Sequence, residues 1–158
     1  MKSISDVMIQ SPQSISDKVT VHDAIVLFSK HGYGCLPVVD DNQHVVAFLS
    51  DGDIISYLAR KTKQQDHLPL IYASMLSDEE YFNDKEILDE LMTISVLFCA
   101  TKKVLAADIN DNLAKVTSLM DNKHLKHLPI LENDKLVGLL SRRNVILSFF
   151  DSYNAYQH

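Results

Sequence analysis

The chain has 158 residues, 46% of them hydrophobic and 23% charged, with a formal net charge of -6. That length and balance suit a core built as one domain or as two small fused halves, and the negative charge argues against a general nucleic-acid face. The two cysteines, Cys35 and Cys99, have no paired spacing, so neither a disulfide framework nor a zinc site is implied.

The start of the chain, MKSISDVMIQ, lacks the apolar stretch and cleavage site of a signal peptide. No apolar run reaches the ~18 to 20 residues of a membrane span, so the expected location is cytoplasmic, with no membrane partner. The first helical signal opens at Thr20, where Asp23 completes a capping box ahead of Val21, Ala24, Ile25 and Phe28 at helical spacing. A strand follows at LPVVD, then a polar turn, a second strand at VVAFLS, and a helix beginning DGDIISYLARK. Next comes an acidic insertion in which eight acids, Asp66 to Glu90, face the single base Lys85. The segment from Ser77 through Phe98 reads as an amphipathic helix, capped by Ser77 or Asp78, whose apolar positions include Tyr81, Phe82, Ile87, Leu88, Leu91 and Met92. That stripe is expected to dock on the core.

The second half repeats the first. Asn112 caps a helix with Leu113, Val116, Leu119 and Met120 at helical spacing, followed by strands at LPILE and LVGLLS and a closing helix from Arg142. Pro37 matches Pro129 at a shift of 92, and Ser50 matches Ser141 at a shift of 91, so one residue is lost in the turn between the strands. One such unit buries too little apolar surface to stand alone, which explains the second copy. Between Thr101 and Leu147 eight bases outnumber five acids, so this half is basic. The closing helix carries Ile146, Phe149, Phe150 and Tyr153 at helical spacing, an aromatic surface that favours a homodimer.

Two chemistries find little support. His124 and His127 have helix-face spacing but run into a strand and lack a third ligand for a metal. Neither a G-x-S-x-G elbow nor a phosphate loop is formed by Gly32, Gly34, Gly52 and Gly138, so an enzyme is not expected.

Ala24 ahead of Pro37-Val38-Val39-Asp40, a short turn, Ala47 or Gly138 between aliphatics, then Ser50 with Asp53 three residues on, resembles the CBS domain. The pair resembles a tandem CBS (Bateman) module over Ser3 to Lys61 and Ile94 to Tyr153. The resemblance implies an α/β (α+β) fold of two CBS repeats, each a small sheet with two helices, packed sheet to sheet with pseudo-two-fold symmetry. The corresponding domains are residues 1–61 and 94–158, with the insertion at 62–93. It implies a regulatory module without catalytic activity or an obligatory cofactor, binding AMP, ADP, ATP or an S-adenosyl compound in grooves between the repeats and acting on a partner protein. The alternative is an oligomerisation or interaction module that binds no ligand.

Under this resemblance Ser50 and Asp53 hold a ribose diol, although the same two residues also make a capping box that requires no ligand. Ser141 and Asn144 stand at the matching positions, where an amide replaces the carboxylate and the diol contact is expected to weaken or rearrange. Lys126 and His127 stand where nucleotide-binding repeats carry a basic pair facing phosphate; the first repeat has Gly34 and Cys35 there. Arg142 and Arg143 add cations at a helix N-terminus, or else are solvated surface. Adenine is assigned to edge segments near Ser14, Ile15, Ala106 and Ala107, with Leu36 and Leu128 close by, positions that packing alone would also make apolar.

Overall fold

Each repeat builds a β-hairpin followed by a helix, and the computed structural model, which describes residues 2–65 and 84–156, places the difference between the repeats in their turns. The elements run α1 (Ile4–Val7), β1 (Ile9–Gln10), β2 (Ile15–Ser16), α2 (Val21–His31), β3 (Cys35–Val39), β4 (Val45–Ser50) and α3 (Asp51–Gln65). They continue with α4 (Asp84–Thr93), a 3-10 turn (Val96–Phe98), β5 (Ala107–Asp108), α5 (Leu113–Asn122), β6 (His127–Glu132), β7 (Lys135–Ser141) and α6 (Arg142–Ala155). The β6–β7 turn is a two-residue loop, with Asn133 and Asp134 both left-handed at φ 50 and 63. Counted between Asp40 and His44, which are joined by the Asp40 N–H to His44 carbonyl bond at 3.0 Å, the β3–β4 turn is one residue longer. There the Asp40 carboxylate accepts the N–H groups of Asn42 and His44 at 2.8 and 2.9 Å, and Gln43 takes the left-handed position at φ 68. This extra residue is the change of register from 92 to 91.

The chain divides into two compact units that interleave in sequence: Met1–Ser14, Val39–Val46 and Lys103–His158 form one, Ile15–Val38 and Ala47–Lys102 the other. The expected α/β architecture of two small sheets with helices is present. In the first unit the sheet order is β1-β7-β6-β5, with β1 antiparallel to β7 and β5 parallel to β6. Leu113, Val116 and Met120 of α5 bury against Leu128, Ile130 and Leu140 of the sheet and Val145 of α6. The start of the chain joins this core. Ser3 and Asp6 form a capping box that opens α1, and the short helix presents Ile4 and Val7 to the apolar cluster.

The other unit carries the sheet β2-β3-β4. The predicted box of Thr20 and Asp23 opens α2, and Gly32 ends it in the left-handed conformation at φ 65, which a residue without Cβ adopts freely. The core comprises Val21, Ala24, Leu36, Val38, Ala47 and Leu49, together with Ile54 of α3. Of the insertion helix, Ser77, Asp78, Tyr81 and Phe82 lie outside the described residues. Its described part, α4, buries Ile87 and Leu91, while Leu88 stays 45% exposed. Lys61 and Tyr57 of α3 both donate to the Glu90 carboxylate of α4, at 2.7 and 2.9 Å, and those bonds hold its carboxyl below the usual range.

The helix does not continue through Ile94-Ser95-Val96-Leu97-Phe98. Ser95 caps the 3-10 turn, and the backbone zips onto the first repeat, Val21 N–H to the Ile94 carbonyl at 3.0 Å and Val96 N–H to the Val19 carbonyl at 3.1 Å. These bonds to the segment that leads into α2 give the backbone of Ile94 and Val96 partners outside the helix. Among the described residues no helix is long and apolar enough to cross a membrane.

Candidate ligand-binding site

The strand-to-helix corner of the first repeat gathers the best candidates. Ser50, the last residue of β4, donates to Asp53 Oδ2 twice, from its N–H and its hydroxyl, both at 2.7 Å. Asp53 N–H returns a bond to Ser50 Oγ at 3.2 Å. The capping box is thus real, but it uses only one carboxylate oxygen. Asp53 Oδ1 accepts the Thr101 hydroxyl at 3.4 Å, and a carboxylate offers about four lone-pair sites, so Oδ1 retains acceptor capacity. Cap and ligand contact are therefore compatible at Asp53.

Thr101 was not singled out in the sequence. An antiparallel bridge delivers it, with Phe48 and Thr101 exchanging both backbone bonds at 2.9 Å. The signal lay in the repeat, because Thr101 matches Ile9 at a shift of 92, just as Phe48 matches Leu139 at 91, and Ile9 pairs with Leu139 in β1–β7.

The second repeat makes the same corner with different chemistry. Asn144 Oδ1 accepts the Ser141 N–H at 3.3 Å and, closely, the Ser141 hydroxyl, while Asn144 N–H donates to Ser141 Oγ at 3.1 Å. The capping box consumes the amide oxygen. What remains is an NH₂ donor where the first repeat has a carboxylate oxygen, and Ile9, without a hydroxyl, holds the position that matches Thr101.

The backbones of three cationic candidates, Lys126, His127 and Arg142, meet at this corner, and Arg143 follows in the chain. Arg142 N–H donates to the Lys126 carbonyl at 3.1 Å, and His127 pairs with Ser141 across β6–β7. Lys126, Arg142 and Arg143 are exposed and His127 half-buried. The Arg142 Nε donates to the Leu125 carbonyl at 2.7 Å, which fixes its guanidinium against the preceding turn. In the first repeat the equivalent backbone bond runs from Asp51 N–H to the Gly34 carbonyl at 2.9 Å. Cys35, next to Gly34, is buried; burial first, then the charge of Asp51, push its thiol up to about 11, which leaves little thiolate for nucleophilic chemistry.

The adenine candidates divide by exposure. Leu36 and Leu128 are 1% and 0% exposed, and Ile15 and Ala107 are also buried, as core residues are. Ser14 and Ala106 keep part of their surface. Among the described residues no group of three or more His, Cys, Asp or Glu could hold a metal ion.

The CBS domain model matches residues 4–60 and 89–151. The chain is 26% identical over 139 residues to the CBS domain-containing protein CBSX2, chloroplastic, of Arabidopsis thaliana, covering 87% of this chain but only 58% of that protein. An uncharacterized protein of Methanocaldococcus jannaschii, MJ1426, is 24% identical over 152 residues, covering 90% of this chain and 88% of that one. In structure the chain resembles CBSX2 in complex with AMP, at a TM-score of 0.72 and 20% identity over 97% of this chain and 99% of that one. It also resembles the CBS domain pair of MJ0100 in complex with 5′-methylthioadenosine and S-adenosyl-L-methionine, at 0.69 and 15% over 94% and 99%. With two matched segments spanning most of its length, and a hairpin-and-helix corner repeated in each, this chain belongs to the CBS domain family and carries two such domains.

Proposed function

We propose that the chain is a regulatory module that binds an adenosine compound at the first repeat and has no catalytic activity of its own. The observation that carries this reading is the free acceptor capacity of Asp53 Oδ1 beside the Thr101 hydroxyl. A ribose presents two adjacent hydroxyl donors, and a charged acceptor is the partner they bind most strongly. That AMP is bound to CBSX2, and methylthioadenosine and S-adenosylmethionine to MJ0100, supports the same ligand class here. The cations Lys126, His127, Arg142 and Arg143 make the second repeat, taken by itself, the better place for a phosphate. Binding then alters affinity for a partner protein. A second reading, an interaction module without ligand, is favoured for the second repeat alone by the donor that Asn144 leaves and by Ile9 in place of a hydroxyl.

Thermal denaturation with adenosine, AMP, ATP and S-adenosylmethionine tests the reading. At least one is expected to raise stability in a saturable manner, by about 2.7 kcal/mol at 100 times its dissociation constant. No shift with any of them at millimolar concentration would leave the interaction module as the better account.

A homodimer belongs to the same proposal. Ile146, Phe149, Phe150 and Tyr153 lie on one stripe of α6, between 55% and 65% exposed, more aromatic surface than a small monomer ordinarily leaves in water. Light scattering is expected to give twice the 17.9 kDa of the chain; a single-chain mass at tens of micromolar would contradict it.

A further inference from the structure

The two helix starts that close the repeats differ in charge and in what occupies their backbone. In α3 the first turn holds Asp51 and Asp53, whereas the first turn of α6 holds no acid and begins Arg142-Arg143. Helix N-termini ordinarily attract anions because their N–H groups point outward. At α3 those groups already have acceptors within the chain: Gly52 N–H donates to Asp51 Oδ1 at 2.7 Å, and Asp53 N–H to Ser50 Oγ. The other oxygen of Asp51 lies over Gly34, 3.0 Å from where a Cβ would stand, so a larger residue would crowd the carboxylate. At the matching place the second repeat has Lys126 beside Arg142. The same backbone bond thus joins Gly34 to an anion in one repeat and Lys126 to a cation in the other.

We infer that Asp51 is a specificity-determining residue, which makes the first repeat a site for adenosine compounds with a neutral or cationic 5′ substituent and disfavours nucleotides there. This rests on the adenosine reading of Asp53. Asp51 and Asp53 share the first turn of α3 but point to different sides of it, so Asp51 acts on a ligand held at Asp53 through space and not by contact, over the ~8 Å within which physiological salt leaves charges felt. Asp51 acts there as a built-in anion: it fills the N–H that a phosphate would seek and repels the phosphate itself. Lys102, next to Thr101, is exposed as Asp51 is, but the Asp51 carboxylate is held in place by the Gly52 N–H whereas the Lys102 ammonium rides on a flexible four-carbon stem. A sulfonium, as in an S-adenosyl compound, is attracted instead.

Calorimetric titration of the full chain with adenosine, AMP and S-adenosylmethionine tests this in the unmutated protein, in Asp51→Asn and in Asp51→Asn with Asp53→Asn. The asparagine keeps an acceptor for Gly52 N–H and removes the charge. The affinity of AMP relative to adenosine is expected to rise about tenfold in Asp51→Asn, while S-adenosylmethionine loses ground to adenosine, and both changes disappear in the double variant. An unchanged ratio, with adenosine binding still dependent on Asp53, would overturn the role of Asp51 and leave the site intact. A gain for AMP that survives in the double variant would equally overturn it. Absence of adenosine binding in every protein would instead remove the underlying site.

Discussion

Gly138→Ala is expected to destabilise the protein by about 1 to 3 kcal/mol, the range for forcing extra volume into a packed interior. Two effects oppose each other. Alanine reduces the entropy of the unfolded chain, which by itself stabilises by roughly 0.4 to 1 kcal/mol at a compatible site. Against that, a Cβ at Gly138 would overlap Met8 Sδ and stand 3.0 Å from its Cγ, so the thioether must leave its place over β7. The backbone of Met8 is anchored on both sides, by α1, whose Ile4 and Val7 are buried, and by Ile9 in its pairing with Leu139, so only its side chain can yield, at the loss of its packing on the apolar cluster. Steric overlap therefore outweighs entropy. Ala47, the counterpart in the first repeat, is fully buried, so the corner itself tolerates a methyl and the demand for glycine comes from Met8. Denaturant unfolding of Gly138→Ala, Met8→Ala and the pair checks this: the cost of the glycine substitution should shrink when Met8 is already alanine. A cost below ~0.5 kcal/mol in the unmutated background would contradict the account.

Much of the fold was legible because it obeys short-range rules. The Thr20 and Asp23 capping box, the strand VVAFLS and the helices opening at Asn112 and Arg142 stand where spacing and caps put them. The lost residue in the second turn was visible as a register change, and its cause, a two-residue loop with two left-handed positions, is local as well. What was not legible depends on pairing across long separations. The two-residue strands β1, β2 and β5 are too short for periodicity to register, and their partners lie far along the chain. For the same reason the helix through Ile94 to Phe98 was overextended, since its apolar spacing fits a helix while its backbone finds better partners at Val19 and Val21.

The candidate site divides along the same line. Ser50 with Asp53 was legible as a four-residue pattern, and Ser141 with Asn144 as its counterpart in the repeat. Thr101 was missed because 48 residues separate it from Asp53. The role of Asp51 needed geometry too, since an acid in a first turn is ordinary until its carboxylate is seen on its own helix's N–H.

Asp53→Asn is the substitution that separates cap from ligand contact, because it writes the second repeat's chemistry into the first. The amide oxygen can keep both bonds from Ser50, as Asn144 keeps those from Ser141, so folding stability should change little. The other oxygen becomes an NH₂ group, so a charged acceptor facing the ribose is replaced by a donor. A hydrogen bond to a charged group is worth about 1.5 to 3 kcal/mol, which corresponds to tenfold to a hundredfold in affinity. The deciding measurement is calorimetric titration of adenosine into the unmutated protein and into Asp53→Asn, with the melting temperature of each unliganded protein recorded alongside. Saturable binding to the first, weakened at least tenfold in the second with the melting temperature held within a few degrees, is the expected result. Equal adenosine affinity in the two proteins would contradict the assignment of the ribose to Asp53.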